Sequence, residues 1–313
     1  IPILSIFFTG ADLKPAFRLS RASINMLVQM LPREKQHGWN HEIEVLVTIY
    51  WLVCGASYRV TANIFSMLVA TVCRIVHNVI EEMMKILYCV IYFPKAEEME
   101  EVGAGFARLA VKEAFRCTAG AIDGCHIRIL PPGEPHKRSH INRKLFPSIV
   151  MQGIYDSRGA FLDVYIGNCG SVNDALVLLR SPMYKQALYP PAGYFLLGDG
   201  GYPCLKHPVA IMTPYRQPVS KRFNRHHAKA RNIIECTFGI LKTRIFLRAL
   251  EIRPMFAPKV VGACCILHNI CVATDDVCQE EGDEEEAAQA GPEAETEGTG
   301  VDRELSGALL VIS

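Results

Sequence analysis

The chain has 313 residues, 50% of them hydrophobic, and carries 33 Lys and Arg against 32 Asp and Glu. This length and apolar fraction suffice for one large domain or two small ones with a buried core. The longest apolar stretch, residues 43–54, contains Glu44 and is far shorter than the roughly 20 apolar residues of a membrane-spanning helix. The composition therefore predicts a soluble globular protein and argues against a membrane-spanning one.

Charge is distributed unevenly along the chain. Thirteen Asp and Glu but one basic residue fall between Asp275 and Glu304, so residues 1–274 carry a net charge of +13. A basic body favours a polyanionic partner. The stretch 275–313 is rich in Glu, Gly and Ala and contains no aromatic residue. We predict that it is an acidic, disordered tail that shields the basic body.

The first hundred residues have the period of helices. Apolar residues recur at three- and four-residue spacing over 17–31, 41–57 and 58–87. The charged stretch 95–105, which follows Pro94, predicts a boundary after a helical region of residues 1–100.

The third of these segments has a possible helix-turn-helix. Two short helices, 58–66 and 69–81, would flank the turn, although the turn lacks the usual glycine. Arg74 and His77 would face outward from the second helix. The alternative is a plain helical bundle without DNA contact.

After a short helix predicted at 106–115, the pattern changes to that of strands. Strands are predicted at 119–130, 146–156 and 160–169, with a hairpin turn at 156–159, and a fourth strand at 193–199. Helices are predicted at 172–184, 223–245 and 258–272. This order of elements predicts a mixed α/β fold with a ribonuclease-H-like, retroviral-integrase-like sheet flanked by helices over residues 105–272.

Three acidic residues stand in unusual surroundings. Asp123 interrupts an apolar strand, Asp199 ends another strand before Gly200 and Gly201, and Glu235 lies within a helical pattern. Buried carboxylates are costly unless they are compensated. Magnesium or manganese would compensate them, and two such ions cleave phosphodiesters by activating the nucleophile and stabilising the leaving oxygen. We therefore predict that all three hold metal, with Asp123 bridging two ions.

Each acid also has a simpler interpretation. Glu235 is four residues after Arg231, so the two could form a salt bridge on a solvated helix face. Asp174 is a possible accessory residue of the site, or only the N-terminal charge of the helix predicted at 172–184. Asp156 and Asp163 are interpreted as turn and strand residues.

Two basic stretches, residues 136–144 and 221–231, could bind a phosphate backbone beside these acids. His136 and His140, in the first stretch, are predicted to face solvent. The predicted DNA-binding residues are Lys137, Arg138, Arg143, Lys144, Arg222, Arg225, Lys229, Arg231 and Lys242.

Twelve cysteines are scattered through apolar segments. The densest group, Cys264, Cys265 and Cys271 with His268, could be drawn as a zinc site. Its position in an apolar helical segment favours reduced core thiols instead.

Several ordered motifs resemble the nuclease domain of PIF/Harbinger-type transposases and the host nucleases derived from them. They are AIDGCHI at 121–127, LLGDGGYP at 196–203, ARNIIECTFGILKTR at 230–244 and LHNIC at 267–271. The resemblance implies a ribonuclease-H-like fold, a DDE triad of Asp123, Asp199 and Glu235, and a metal-dependent DNA endonuclease. It also implies a nuclear location and a separate Myb-like DNA-binding partner.

The resemblance has departures beside the acids. The family commonly has other residues where Cys125, Asn173 and Cys236 stand. The alternative function is therefore a catalytically silent, host-derived protein that keeps the fold for DNA binding or partner assembly. A nuclease acting on RNA with the same fold is a third possibility.

Overall fold

The structure, a computed structural model, describes residues 2–32, 38–215, 221–245 and 252–276. These residues all fall within one compact unit. Residues 277–313, which hold most of the predicted acidic tail, lie outside the described residues.

The sheet has five strands in the order β3-β2-β1-β4-β5. β1, β2 and β3 are antiparallel neighbours, whereas β4 and β5 run parallel to β1. The strand bounds are β1 Thr118–Arg128, β2 Ser148–Tyr155, β3 Phe161–Cys169, β4 Phe195–Leu197 and β5 Ile211–Met212. The predicted meander and fourth strand are confirmed, and β5 was not predicted.

The hairpin turn between β2 and β3 was also predicted correctly. The Asp156 carboxylate accepts hydrogen bonds from the backbone N–H groups of Arg158 and Ala160, both at 2.8 Å. Gly159 has φ +84°, a conformation that favours glycine. Asp163 lies on β3, where burial raises its pKa to about 6.

Helices surround the sheet on both faces. In the N-terminal half they are α1 Pro2–Phe8, α2 Lys14–Phe17, α3 Arg21–Met30, α4 His41–Cys54, α5 Tyr58–Phe65, α6 Val69–Lys85, α7 Leu87–Val90 and α8 Met99–Ala110. They are followed by α9 Asp174–Arg180, α10 Pro182–Lys185, α11 Lys221–Ile245 and α12 Ala257–Ala273.

α12 joins the N-terminal helices to the sheet. It is apolar on nearly every side, and a helix of that kind is stable only when it is surrounded by other elements. It packs against α3, α6 and α7 on one side and β3 on the other. Cys264, Cys265 and Cys271 are buried in this helix, as predicted for core thiols.

The stretch predicted as a domain boundary lies inside the fold. α8 begins there at Met99, ends at Ala110 and packs against β1. The helix predicted at 106–115 therefore begins and ends earlier. Gly103 and Gly105 allow this packing, because a Cβ at either would clash with Arg116 or Ser157. The charged residues and glycines of this stretch suggested a boundary. In the structure the charged side chains face solvent, and the glycines lie on the side of α8 that contacts the rest of the fold.

α5 and α6 meet at an angle of 105°. Helix-turn-helix pairs cross at about 90–120°, so this interpretation stays a prediction that the angle supports. Arg74 is exposed as predicted. The prediction for His77 is wrong, because its ring stacks on Phe256 at 3.9 Å between centroids and lies beside Tyr58.

No single helix in the described ranges is both long and apolar enough to cross a membrane. Among the described helices, α5 and α6 together, bent at their junction, meet that test of length and composition.

The last described residue closes the fold against α3. The Asp276 carboxylate accepts hydrogen bonds from the backbone N–H of Ser20 at 2.5 Å and from Ser23 Oγ at 2.8 Å. Lys14 Nζ lies 3.1 Å from its other oxygen. Asp275 and Asp276, which were assigned to the predicted tail, thus continue from the folded unit.

Candidate active site

The register of β1 and β4 places Asp123 beside Asp199. Ala121 pairs with Leu197 across the two parallel strands. Asp123 and Asp199 each follow these residues by two positions, and they are close enough for the charge of Asp199 to raise the pKa of Asp123. Asp123 is central in the sheet, and Asp199 stands where β4 ends.

Asp174, the first residue of α9, lies beside Gly124 of β1 and close to Asp199. A Cβ at Gly124 would clash with Asp174 Oδ1, so the missing side chain leaves the space that this carboxylate occupies. A Cβ at Gly201 would lie 3.0 Å from Asp199 Oδ1 and 3.2 Å from Asp174 Oδ2. The two carboxylates therefore face one small volume. We call Asp123, Asp174 and Asp199 the acidic cluster.

The cluster concentrates negative charge that nearby cations compensate only in part. Burial raises the pKa of Asp123, and the charge of Asp199 adds to this effect. Burial also raises the pKa of Asp174, and Asp199 raises it further. Two cations oppose these shifts, since Arg231 lowers the pKa of Asp123 and Arg143 lowers that of Asp174.

Arg231 is the partner of Asp123. Its Nη2 donates to Asp123 Oδ2 at 2.8 Å, and the two side chains are only 19% and 16% exposed. The other oxygen, Oδ1, accepts the backbone N–H of Gly124 at 2.8 Å. The alternative in which Arg231 pairs with Glu235 is therefore wrong.

The Tyr202 side chain lies close to all three acids of the cluster. Burial raises its pKa well above the usual value, and Asp174, Asp123 and Asp199 raise it further. Its hydroxyl is buried and has no hydrogen-bond partner in the described part of the chain. A buried polar atom without a partner is uncommon and calls for an explanation such as a ligand at the site.

Glu235 is the predicted site residue that the structure does not bring into the cluster. It lies one helical turn after Arg231 on α11, and its side chain is exposed. No hydrogen bond or ion pair links the Glu235 side chain to another described residue. The role of Glu235 as a metal ligand stays a prediction.

Most of the predicted DNA-binding residues are exposed. In the loop between β1 and β2 these are Lys137, Arg138, Arg143 and Lys144, and on α11 they are Arg222, Arg225 and Lys229. Arg231 is instead mostly buried by its contact with Asp123, and the side chain of Lys242 lies outside the described residues. Loop and helix each bring one cation, Arg143 and Arg231, close enough to shift the pKa of an acid in the cluster.

Two of the three unusual neighbours have structural roles. Asn173 caps α9, because its side chain accepts a hydrogen bond from Leu176 N at 2.9 Å. Cys125 is buried in the core, on the same face of β1 as Asp123. Cys236 is exposed on α11. Asn173 directly precedes Asp174, so this cap fixes the start of the helix that carries Asp174.

The donor chemistry of the cluster fits a divalent cation. Carboxylate oxygens are the ligands that magnesium and manganese prefer, and a cation would relieve the repulsion that raises these pKa values. Within the described ranges, no three His, Cys, Asp or Glu side chains converge on one metal position as they stand. One oxygen of Asp123 instead accepts a hydrogen bond from Arg231.

Residues 122–269 match a family model described as DDE superfamily endonuclease. The matched stretch contains Asp123, Asp174, Asp199 and Glu235, so the acidic cluster lies within an endonuclease-like domain. DDE endonuclease domains generally use divalent metal ions.

Whole-chain comparisons lead to relatives with related names. A Rattus norvegicus protein named "Putative nuclease HARBI1" is 27% identical over 278 residues, covering 84% of this chain and 78% of that protein. The Bos taurus protein of the same name is 27% identical over 286 residues, with the same two shares. The Arabidopsis thaliana "Protein ALP1-like" is 27% identical over 254 residues, covering 74% of this chain and 61% of that protein. No solved structure gave a significant match.

Proposed function

We propose that the protein is a divalent-metal-dependent DNA endonuclease of transposase origin. The observation that carries the proposal is that the carboxylates of Asp174 and Asp199 face one small volume, and that Asp199 is close enough to Asp123 to raise its pKa. Asp174, predicted only as an accessory residue, becomes a full member of the proposed site. Glu235 is proposed as a further ligand from α11.

The arrangement of the sheet supports the finer assignment of the fold. Three antiparallel strands followed by two parallel ones, in the order β3-β2-β1-β4-β5, are compatible with a ribonuclease-H-like domain. We propose that fold for the domain and a helix-turn-helix role for α5 and α6.

The chain's own residues would bind and orient the substrate. Exposed cations on the β1–β2 loop and on α11 would hold the phosphate backbone beside the acids. Asp123, Asp174 and Asp199 would hold Mg²⁺ or Mn²⁺, which supplies nucleophile activation and leaving-group stabilisation when bound. A DNA substrate suggests a nuclear location, and a Myb-like protein is the proposed partner.

The decisive measurement is nicking and linearisation of plasmid DNA with Mg²⁺ or Mn²⁺. We expect cleavage by the parent and a loss of roughly 1,000-fold or more in Asp123→Ala, because a ligand of the ion is removed. Glu134→Ala is the matched control, since Glu134 is exposed on the β1–β2 loop and lies outside the acidic cluster. Cleavage that survives Asp123→Ala would refute the proposal.

A second candidate function is favoured by the ion pair between Arg231 and Asp123 and by the exposure of Glu235. Both are compatible with a catalytically silent protein that binds DNA or a partner. Calorimetric titration of Mn²⁺ separates the two candidates. Binding by the parent that is weakened in Asp199→Asn and Glu235→Gln supports the nuclease, whereas equal binding in all three supports the silent protein.

A further inference from the structure

Arg231 competes with any cation that binds at Asp123. Both carboxylate oxygens of Asp123 already accept a hydrogen bond, one from Gly124 N and one from Arg231 Nη2. The Gly124 N–H belongs to the adjacent residue and moves with it. The guanidinium is therefore the contact that a divalent cation would have to displace, because two cations on one oxygen repel each other.

The ion pair uses only part of the guanidinium. Arg231 Nε is buried, yet it has no hydrogen-bond partner in the described part of the chain. Buried donors are almost always satisfied, so an arginine that served only to stabilise the fold would be expected to pair this group as well. The Nε–H and Nη–H edge of arginine is the one that binds phosphate through two parallel hydrogen bonds.

Among the described side chains of α11, Arg231 is the cation that faces the acidic cluster. Arg222, Arg225 and Lys229 are exposed on α11 ahead of it, whereas Arg231 reaches inward to the acidic cluster. At about 100° per residue, Arg231 lies on a different side of α11 from these three cations, next to the acids. Tyr202, whose hydroxyl also lacks a partner in the described residues, lies near enough for Arg231 to affect its pKa.

We propose that Arg231 is a resident counter-ion that couples cation binding to DNA binding. Its guanidinium and the divalent cation compete for Asp123. When the cation takes this carboxylate, Arg231 is released and donates its Nε–H and Nη–H groups to a DNA phosphate. The inference rests on the proposed function, because it requires a divalent cation at Asp123.

The first experiment measures Mn²⁺ affinity by calorimetry without DNA. Arg231→Gln removes the competing charge, so we expect Mn²⁺ to bind roughly tenfold tighter or more than in the parent. Lys229→Gln is the matched control, because it removes the same charge from an exposed position of the same helix. Its Mn²⁺ affinity should stay within about twofold of the parent.

The second experiment measures the coupling by fluorescence anisotropy of a short labelled duplex, in chelator and in Ca²⁺. The parent should gain more DNA affinity from Ca²⁺ than Arg231→Gln does. Arg231→Lys keeps the charge but not the planar pair of donors, so it should bind Mn²⁺ like the parent and show a smaller Ca²⁺-dependent gain. If Arg231→Gln does not fold, the comparison of Arg231→Lys with the parent tests the proposal instead.

The outcomes separate this inference from the proposed function. If the parent binds Mn²⁺ and Arg231→Gln binds it equally or more weakly, the counter-ion role is wrong and the metal site stands. If neither binds Mn²⁺, both proposals are wrong. If Lys229→Gln tightens Mn²⁺ binding as much as Arg231→Gln, general electrostatics explains the effect and the specific role is refuted.

Discussion

Gly124 is the residue that leaves room for the Asp174 carboxylate in the acidic cluster. It lies next to Asp123 on β1, and its missing side chain provides the space for Asp174. Gly124→Ala should therefore displace Asp174 from the acidic cluster. We expect Mn²⁺ affinity, measured by calorimetry, to fall roughly tenfold because one ligand is moved.

Gly200→Ala is the control for this change. A Cβ at Gly200 would have no atom within 4 Å, so the substitution should leave Mn²⁺ affinity unchanged. Equal affinities in Gly124→Ala and the parent would show that Asp174 takes no part in holding the ion.

Single residues were predictable where their local surroundings were unusual. Asp123 and Asp199 stood out because an apolar strand and a pair of glycines surround them. Asp174 did not, since an acid at a helix start has an ordinary explanation. The partner of Arg231 was missed for a different reason. The local spacing pointed to Glu235, whereas the packing of α11 on β1 provides Asp123, 108 residues away.

At the scale of elements, the strength of the local pattern decided what the sequence could show. Strands of eight residues or more and helices of fourteen or more carry enough periodic positions to be recognised. β5 has two residues and depends on pairing with β4, so no local pattern marks it. α8 was misplaced because its glycines serve close contacts with Arg116 and Ser157, which the local sequence pattern does not show.

Asp276 anchors the N-terminus of α3, and this contact is testable. Burial alone would raise the pKa of Asp276, but hydrogen bonds from Ser20, Ser23 and Lys14 lower it. Asp276→Asn removes the charge, so we expect a loss of roughly 1–3 kcal/mol in the free energy of unfolding at pH 7, measured by urea denaturation.

The pH dependence of this loss of stability shows whether the charge of Asp276 causes it. A carboxyl with a lowered pKa stabilises the fold above its unfolded value of 3.8, and this stabilisation is lost as pH falls through the folded pKa. The difference between parent and variant should persist from pH 8 to 5 and shrink below about pH 4. Asp275→Asn is the control, because Asp275 is exposed and has φ +49°, which asparagine tolerates. A loss that is independent of pH would indicate a steric effect.

At the scale of the whole molecule, the basic body and the acidic C-terminal stretch have opposite charges. If the stretch shields the body from DNA, a variant ending at Asp276 should bind duplex DNA roughly tenfold tighter at low salt, measured by fluorescence anisotropy. The gain should diminish near 0.5 M salt, where charges are screened beyond about 4 Å.

A full-length variant with the acids after Asp276 replaced by Gln or Asn separates charge from bulk. It should match the truncated protein if charge is responsible. Unchanged DNA affinity in both variants would contradict shielding.

The whole molecule was harder to predict than its parts. The helical and strand-rich halves were recognised, but the core they share was not. α12 makes that core continuous, since it contacts both β3 and the helices α3, α6 and α7. Its sequence says only that it is buried, because an all-round apolar helix does not specify which neighbours cover it.

The anchor at Asp276 also decides where mechanical force enters the fold. A pull on the C-terminal stretch is met first by the hydrogen bonds to Ser20 and Ser23 and by the ion pair with Lys14. The force therefore acts on the start of α3 as well as on α12. Without these contacts it would act on the end of α12 alone. A partner that pulled on this stretch would strain the N-terminal helices before it strained the strands that hold Asp123 and Asp199.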